Sequence, residues 1–271
     1  MKLTDRSSGT LRRRLCRLAR RNSRLVHPKE IPMLIDYSRI IAFCVPVVAC
    51  SWLASPVSGE DSQWTVLFDG SSTDAWREYN QDTLTSGWVV RDGTLTVLAE
   101  EDEPAPPADQ KSNRRKRQDI ITKDKFAAFE LELEFRVTES ANSGVMYHVL
   151  ETDGPPYKTG PEIQIQDNSA GHDPQKAGWL YQLYAADVDA TKPTGQWNSL
   201  RIVITPESCT HELNGVAYVQ YVKGSGDWDA KVAASKFSKW EGFGKATSGH
   251  ICLQDHGDEV SYRNIRIKRL D

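Results

Sequence analysis

From Trp64 onward the chain alternates apolar and polar residues in short runs, each bounded by a turn signal. That period-of-two pattern is the mark of half-buried strands. In "FELELEFRV", Phe129, Leu131, Leu133, Phe135 and Val137 share one face, and Glu130, Glu132, Glu134 and Arg136 the other. In "PEIQIQD", Ile163 and Ile165 oppose Glu162, Gln164 and Gln166; in "SGVMYHVL", Val145, Tyr147 and Val149 oppose Met146 and His148. In "HICLQDH", Ile251 and Leu253 oppose His250, Cys252, Gln254 and His256. Asp92-Gly93 and Asn214-Gly215 read as hairpin turns. Helix signals are weak; "DAKVAASKF" suits a turn or two. Many short strands at regular spacing predict an all-β fold, a two-sheet antiparallel sandwich.

The polar faces are unusual in content. They carry carboxylates, amides and imidazoles where a solvated strand face commonly mixes charges with Thr and Ser. If these strands lie in one sheet, their polar sides form one surface. Amides and carboxylates suit sugar hydroxyls, which both donate and accept hydrogen bonds. Trp179, Tyr181, Tyr184, Trp228 and Trp240 offer platforms for the apolar faces of a sugar ring, or else fill the core.

Charge divides the chain. Residues 1–50 hold 11 Lys/Arg and 3 Asp/Glu, a net +8, against 23 and 34 in the rest, a net −11. The acidic body argues against a nucleic-acid partner. The apolar run Ile40–Cys50, "IIAFCVPVVAC", is too short to span a bilayer but suits the core of an export signal. Translation from Met33 instead of Met1 would make that signal compact. "VVAC" resembles a bacterial lipobox ending at Cys50, with ordinary cleavage after Ala54 or Gly59 as the alternative. We read residues 1–59 as leader and linker and residues 60–271 as the domain. The protein is then exported, periplasmic or anchored at the cell envelope, touching a membrane only through that lipid. "EEDEPAPPADQKSNRRKRQ", residues 100–118, cannot bury a core and reads as a disordered insertion. Cys209 and Cys252 remain in the body, as a disulfide or as packed thiols.

Among groups for chemistry, His148, His172, His250 and His256 can transfer protons near neutral pH. His148 with Glu162 is the favoured pair. A Glu, His and Asp set also fits a divalent metal ion, although no HExxH-like spacing supports one. Glu132 and Glu134 have the alternate spacing of paired glucanase carboxylates. Asp167, in "QDNSAGHDP", fits a ligand or a turn former equally well.

From about Trp64 to Leu270 the chain resembles the 3-keto-disaccharide hydrolase domain family. The pieces that carry the resemblance include "WTVLFDGSSTDAW", "DIITKDKFAAFELELEFRV", "NSGVMYHV", "TGPEIQIQDN", "GQWNSLRIVI" and "GHICLQDHGDEVSYRNIRI", in family order. It implies a concanavalin A-like jelly roll and cleavage of 3-keto-glycosides by C2 proton abstraction, elimination and hydration. It also implies site positions at Asn142, His148, Glu162, Gln164, Asp167, Gln254 and His256. Where many relatives have Arg, this chain has His148. A non-catalytic carbohydrate-binding module and a conventional glycoside hydrolase using Glu134 and its neighbour remain the alternatives.

Overall fold

In the computed structural model, residues 63–84, 87–99 and 117–271 are described. The leader, lipobox and start-site readings lie outside them, as does nearly all of the 100–118 insertion. The strands are β1 (Trp64–Phe68), β2 (Trp76–Glu78), β3 (Trp88–Arg91), β4 (Thr94–Val97), β5 (Ile120–Thr122), β6 (Phe129–Val137) and β7 (Asn142–Val149). They continue with β8 (Glu162–Gln166), β9 (Asn198–Ile204), β10 (Cys209–Leu213), β11 (Val216–Tyr221), β12 (His250–Leu253) and β13 (Val260–Arg269).

They form two antiparallel sheets. The larger has eight strands in the order β11-β10-β9-β6-β13-β4-β3, with β1 also on β13; the smaller runs β2-β5-β12-β7-β8. This is the two-sheet antiparallel sandwich that the alternation predicts, with the jelly-roll fold that the family resemblance implies. Hairpins close at Asp92-Gly93 (φ 51° and 72°) and Asn214-Gly215 (φ 51° and 78°), the doubly left-handed geometry that a two-residue hairpin turn needs. One core joins the sheets: Phe129, Leu131, Leu133 and Phe135 from β6 meet Val145, Tyr147, Ile163, Ile165, Ile251 and Leu253 from the smaller sheet. Burial of this kind is the main force holding such a sandwich together.

Three open readings are decided by the structure. The first six residues of "DAKVAASKF" lie in a helix, α1 (Gly226–Ala234), capped by Ser225, whose hydroxyl accepts from the Trp228 amide, and anchored by the buried Trp228 indole; its last two begin a separate 3-10 turn, Lys236–Lys239. Its single apolar anchor is too sparse to leave a helical period in the sequence. Cys209 and Cys252 are free and buried; they sit in different sheets, so no disulfide forms. Glu132 and Glu134 face away from the smaller sheet. Each is paired on the outer side of the larger one, Glu132 with Arg266 at 2.7 Å and Glu134 with Arg263 at 2.5 Å. Among the described residues no helix is long and apolar enough to cross a membrane.

Candidate active site

The smaller sheet turns its second side away from the core, and register decides what stands there together. Ile121 pairs with Cys252, Cys252 with Met146, and Met146 with Glu162. Arg77 extends that row on one side, and Tyr181, whose amide donates to the Glu162 carbonyl at 2.9 Å, extends it on the other. The next row contains Gln254, Gly144 and Gln164: the Gln254 amide donates to the Gly144 carbonyl, and Gly144 pairs with Gln164. Trp179 completes it, since Leu180 bridges Ile163 and the Gln164 amide donates to the Trp179 carbonyl. A third row pairs Asn142 with Gln166. Side chains of paired residues project to the same face.

That face is polar, buried and unsatisfied. Gln164 is 1% exposed and Gln166 2%. Among the described residues, the buried side-chain atoms without a hydrogen-bond partner are Asn142 Oδ1, both amide atoms of Gln164, Gln166 Oε1, Trp179 Nε1 and Gln254 Oε1. All belong to these adjoining rows. An orphaned buried polar atom costs about 1–3 kcal/mol, so native folds keep few of them, and a cluster requires an explanation. Hydroxyl groups of a ligand would satisfy donors and acceptors alike.

Glu162 lies within the cluster. Its carboxyl occupies the space above Gly144, where an added Cβ would sit 2.4 Å from Oε1. Burial, helped by the nearby charges of Asp119 and Asp173, pushes its pKa up to about 8, against the opposing pull of Lys236 and a hydrogen bond from Gln254. At neutral pH this carboxyl keeps its proton. The loop after β8 folds over the same side. Gln166 Nε2 donates to the Gln175 carbonyl at 2.5 Å, and the Tyr181 hydroxyl to Asp173 at 2.7 Å. Lys236 lies 4.1 Å above the Tyr181 ring.

Of the positions expected from sequence, Asn142, Glu162, Gln164 and Gln254 come together here. His148 does not. The β7–β12 register slips between the pairs His250–Val149 and Cys252–Met146, and His148 has φ 52°. This bulge places one extra residue in β7 and reverses the parity beyond it. Val149 therefore joins Met146, Ile121 and Cys252, while the His148 ring turns toward the core edge. It packs edge-on against Phe129 and Tyr147. Nε2 meets the Ala127 carbonyl at 2.8 Å and Nδ1 meets Lys223 Nζ at 2.7 Å. Burial and then the Lys223 charge push its pKa down to about 4, so the ring is neutral: Nε2–H donates and Nδ1 accepts.

Asp167 is the turn former. Its carboxylate accepts from the Ser140 amide, the Ser169 amide and hydroxyl, and the Thr194 hydroxyl, which pull its pKa down to about 2 against the cost of burial. Glu134 is held by Arg263 and Asn264 on the other sheet. His256 is exposed at the rim, 4.0 Å from Asp258, whose carboxylate accepts the Asn142 amide. Trp228 stacks in the core with Tyr221 and Phe243, and Trp240 packs on Tyr157. Gln166, though visible in the alternation, joins the expected set only here. Asp119 was missed; the signal available was its position two residues before Ile121, on the same side of β5. No group of three or more His, Cys, Asp or Glu among the described residues is placed to share a metal ion.

A model of the 3-keto-alpha-glucoside-1,2-lyase-like domain matches residues 63–268. A 3-keto-disaccharide hydrolase from Bacteroides thetaiotaomicron is 33% identical over 236 residues, which cover 77% of this chain and 79% of the relative. A crystal structure from Parabacteroides distasonis, provisionally described as a glycosyl hydrolase, is 28% identical with a TM-score of 0.68, over 79% of this chain and 99% of its own. A second such structure from that organism is 27% identical with a TM-score of 0.56, over 76% and 99%.

Proposed function

The chain belongs to the 3-keto-alpha-glucoside-1,2-lyase-like domain family, and from that premise we propose that it is a carbohydrate-active hydrolase cleaving 3-keto-disaccharides or 3-keto-glycosides at the polar face of its smaller sheet. The observation that carries the reading is the cluster of orphaned amide and indole atoms around one buried carboxyl, whose pKa burial raises. The amides suit ring hydroxyls. The carboxyl suits a ketone.

A C3 ketone acidifies the neighbouring C2–H. Removing that proton gives an enolate, whose collapse expels the C1 substituent; water then adds at C1, and the net change is hydrolysis. Glu162, neutral and buried, donates a hydrogen bond to the C3 oxygen as charge develops there. A carboxylic acid kept neutral by an apolar site can fill that role at pH 7. Gln164, Gln166 and Asn142 bind the remaining hydroxyls. The leader sequence supports an exported, envelope or periplasmic location for this work.

The test is to incubate the purified protein with 3-keto-trehalose or 3-keto-glucosides beside the unmodified glycosides. Release of 3-keto-glucose from the oxidised substrates alone is the expected result. Binding without turnover would make the face a sugar-binding module, and cleavage of the unmodified sugars would make the protein a conventional glycosidase.

A further inference from the structure

With His148 turned away, the proposed site has an acid but no base. The fold supplies one that the family resemblance did not point to. Asp119 immediately precedes β5, one step beyond the Ile120–Leu253 pair, so the register carries it opposite Gln254, in the row that holds Gly144, Gln164 and Trp179. It is held through backbone and side chain alike: its carbonyl accepts the Tyr79 amide at 2.9 Å and its Oδ1 accepts the Asp255 amide at 2.8 Å. Oδ2 is committed to no hydrogen bond among the described residues, and the residue is half-buried where Glu162 is only 7% exposed. In that row Gln254 lies between Asp119 and Gly144, over which the Glu162 carboxyl sits.

We propose that Asp119 is the general base of this site, exchanging the C2 proton of the sugar while Glu162, across Gln254, holds the C3 oxygen. This rests on the functional reading above and deepens it. In the first half, the C2–H bond breaks and its proton passes to Asp119. The electron pair forms the enolate, hydrogen-bonded to Glu162. As the enolate collapses, C1=C2 forms, the C1–O bond breaks, and the leaving oxygen takes the proton from Asp119. In the second half, water gives a proton to Asp119 and bonds to C1, and C2 then takes that proton back. Both carboxyls end as they began, and no redox partner is required.

The electrostatics agree with the division of labour. Burial pushes both carboxyls up, Asp119 to about 7 with the Asp255 charge and Glu162 to about 8 with the charges of Asp119 and Asp173; a charge on the more exposed Asp119 helps keep the proton on the buried Glu162. Other groups facing the pair are Asp173, Lys236 and the Tyr181 and Tyr262 hydroxyls near Glu162, and the buried Cys252 thiol beside both.

Deuterium wash-in at C2 of 3-keto-glucose, followed by NMR, isolates the base step from cleavage. Asp119→Asn should slow wash-in and cleavage together by about a thousand-fold while leaving the Kd for the 3-keto sugar within a few-fold. It should also erase the acid limb of the pH profile. In Asp119→Ala, added formate should restore exchange, which a purely structural residue would not allow. If Asp119→Asn folds and exchanges at the wild-type rate, or if formate fails to restore Asp119→Ala, Asp119 is not the base. A wild-type protein with neither exchange nor cleavage on any 3-keto-glycoside sinks the enzymatic reading itself, and the assignment with it.

Discussion

Glu162 and Gly144 occupy one another's space: the Glu162 carboxyl lies where a side chain at residue 144 would begin, 2.4 Å from a Cβ built there. The glycine is what lets a carboxyl settle into the middle of a sheet face lined by amides. In Gly144→Ala the carboxyl must move, since Ala needs normal van der Waals clearance. Turnover should fall at least ten-fold, a loss that a displacement on the order of 1 Å explains. The melting temperature should shift by only a few degrees, as read by calorimetry.

The pH dependence of kcat/KM should be bell-shaped, its two limbs set by the raised pKa values of Asp119, about 7, and Glu162, about 8, because the free-enzyme limbs report the base and the acid together. A pair this close titrates as a unit, so the limbs belong to the pair. A profile flat from pH 6 to 9 would contradict the assignment.

Stability should carry the same signature. The folded-state pKa of Glu162 is raised from 4.5 to about 8, so its favourable contribution is complete below the unfolded value and is lost as pH rises through the folded one. Glu162→Gln should therefore melt close to the wild type at pH 5 and become more stable than it by roughly 1–3 kcal/mol at pH 8–9. Denaturant melts at the two pH values check this.

Gln164→Met should trade function for stability. It removes two orphaned atoms from a residue that is 1% exposed, at nearly constant volume. A gain of about 1–2 kcal/mol in unfolding free energy is expected. Affinity for a 3-keto sugar should drop at least ten-fold, measured by calorimetric titration.

His148 should behave as a structural residue. Its folded pKa of about 4 lies below the ordinary 6.5, so the stability tied to its neutral ring is complete above pH 6.5 and drains away as pH falls toward 4. His148→Ala should cost about 2–3 kcal/mol at pH 7.5, because Lys223 loses an acceptor and the Ala127 carbonyl a donor. The folded fraction should keep its kcat. Selective loss of kcat without loss of stability would return His148 to the catalytic machinery.

The particular residues explain what could be read in advance. Alternation in Glu162–Gln166 and His250–Gln254 identified the amide-and-carboxylate face correctly, because side-chain direction along an undisturbed strand is a local property of the backbone. The many short strands and the two hairpin turns likewise announced a two-sheet sandwich. Alternation misplaced His148 because a single bulge in β7 reverses every side chain beyond it, and the bulge is set by pairing with β12, about a hundred residues away in sequence. It could not say that Glu134 and Glu162, equally regular in their strands, face opposite exteriors of the molecule. It passed over Asp119, which becomes part of the site only when β5 pairs with β12. Period belongs to the chain; register, sheet membership and burial belong to contacts between distant segments, and those alone decided which polar residues meet, which go unsatisfied, and which carboxyls keep their protons.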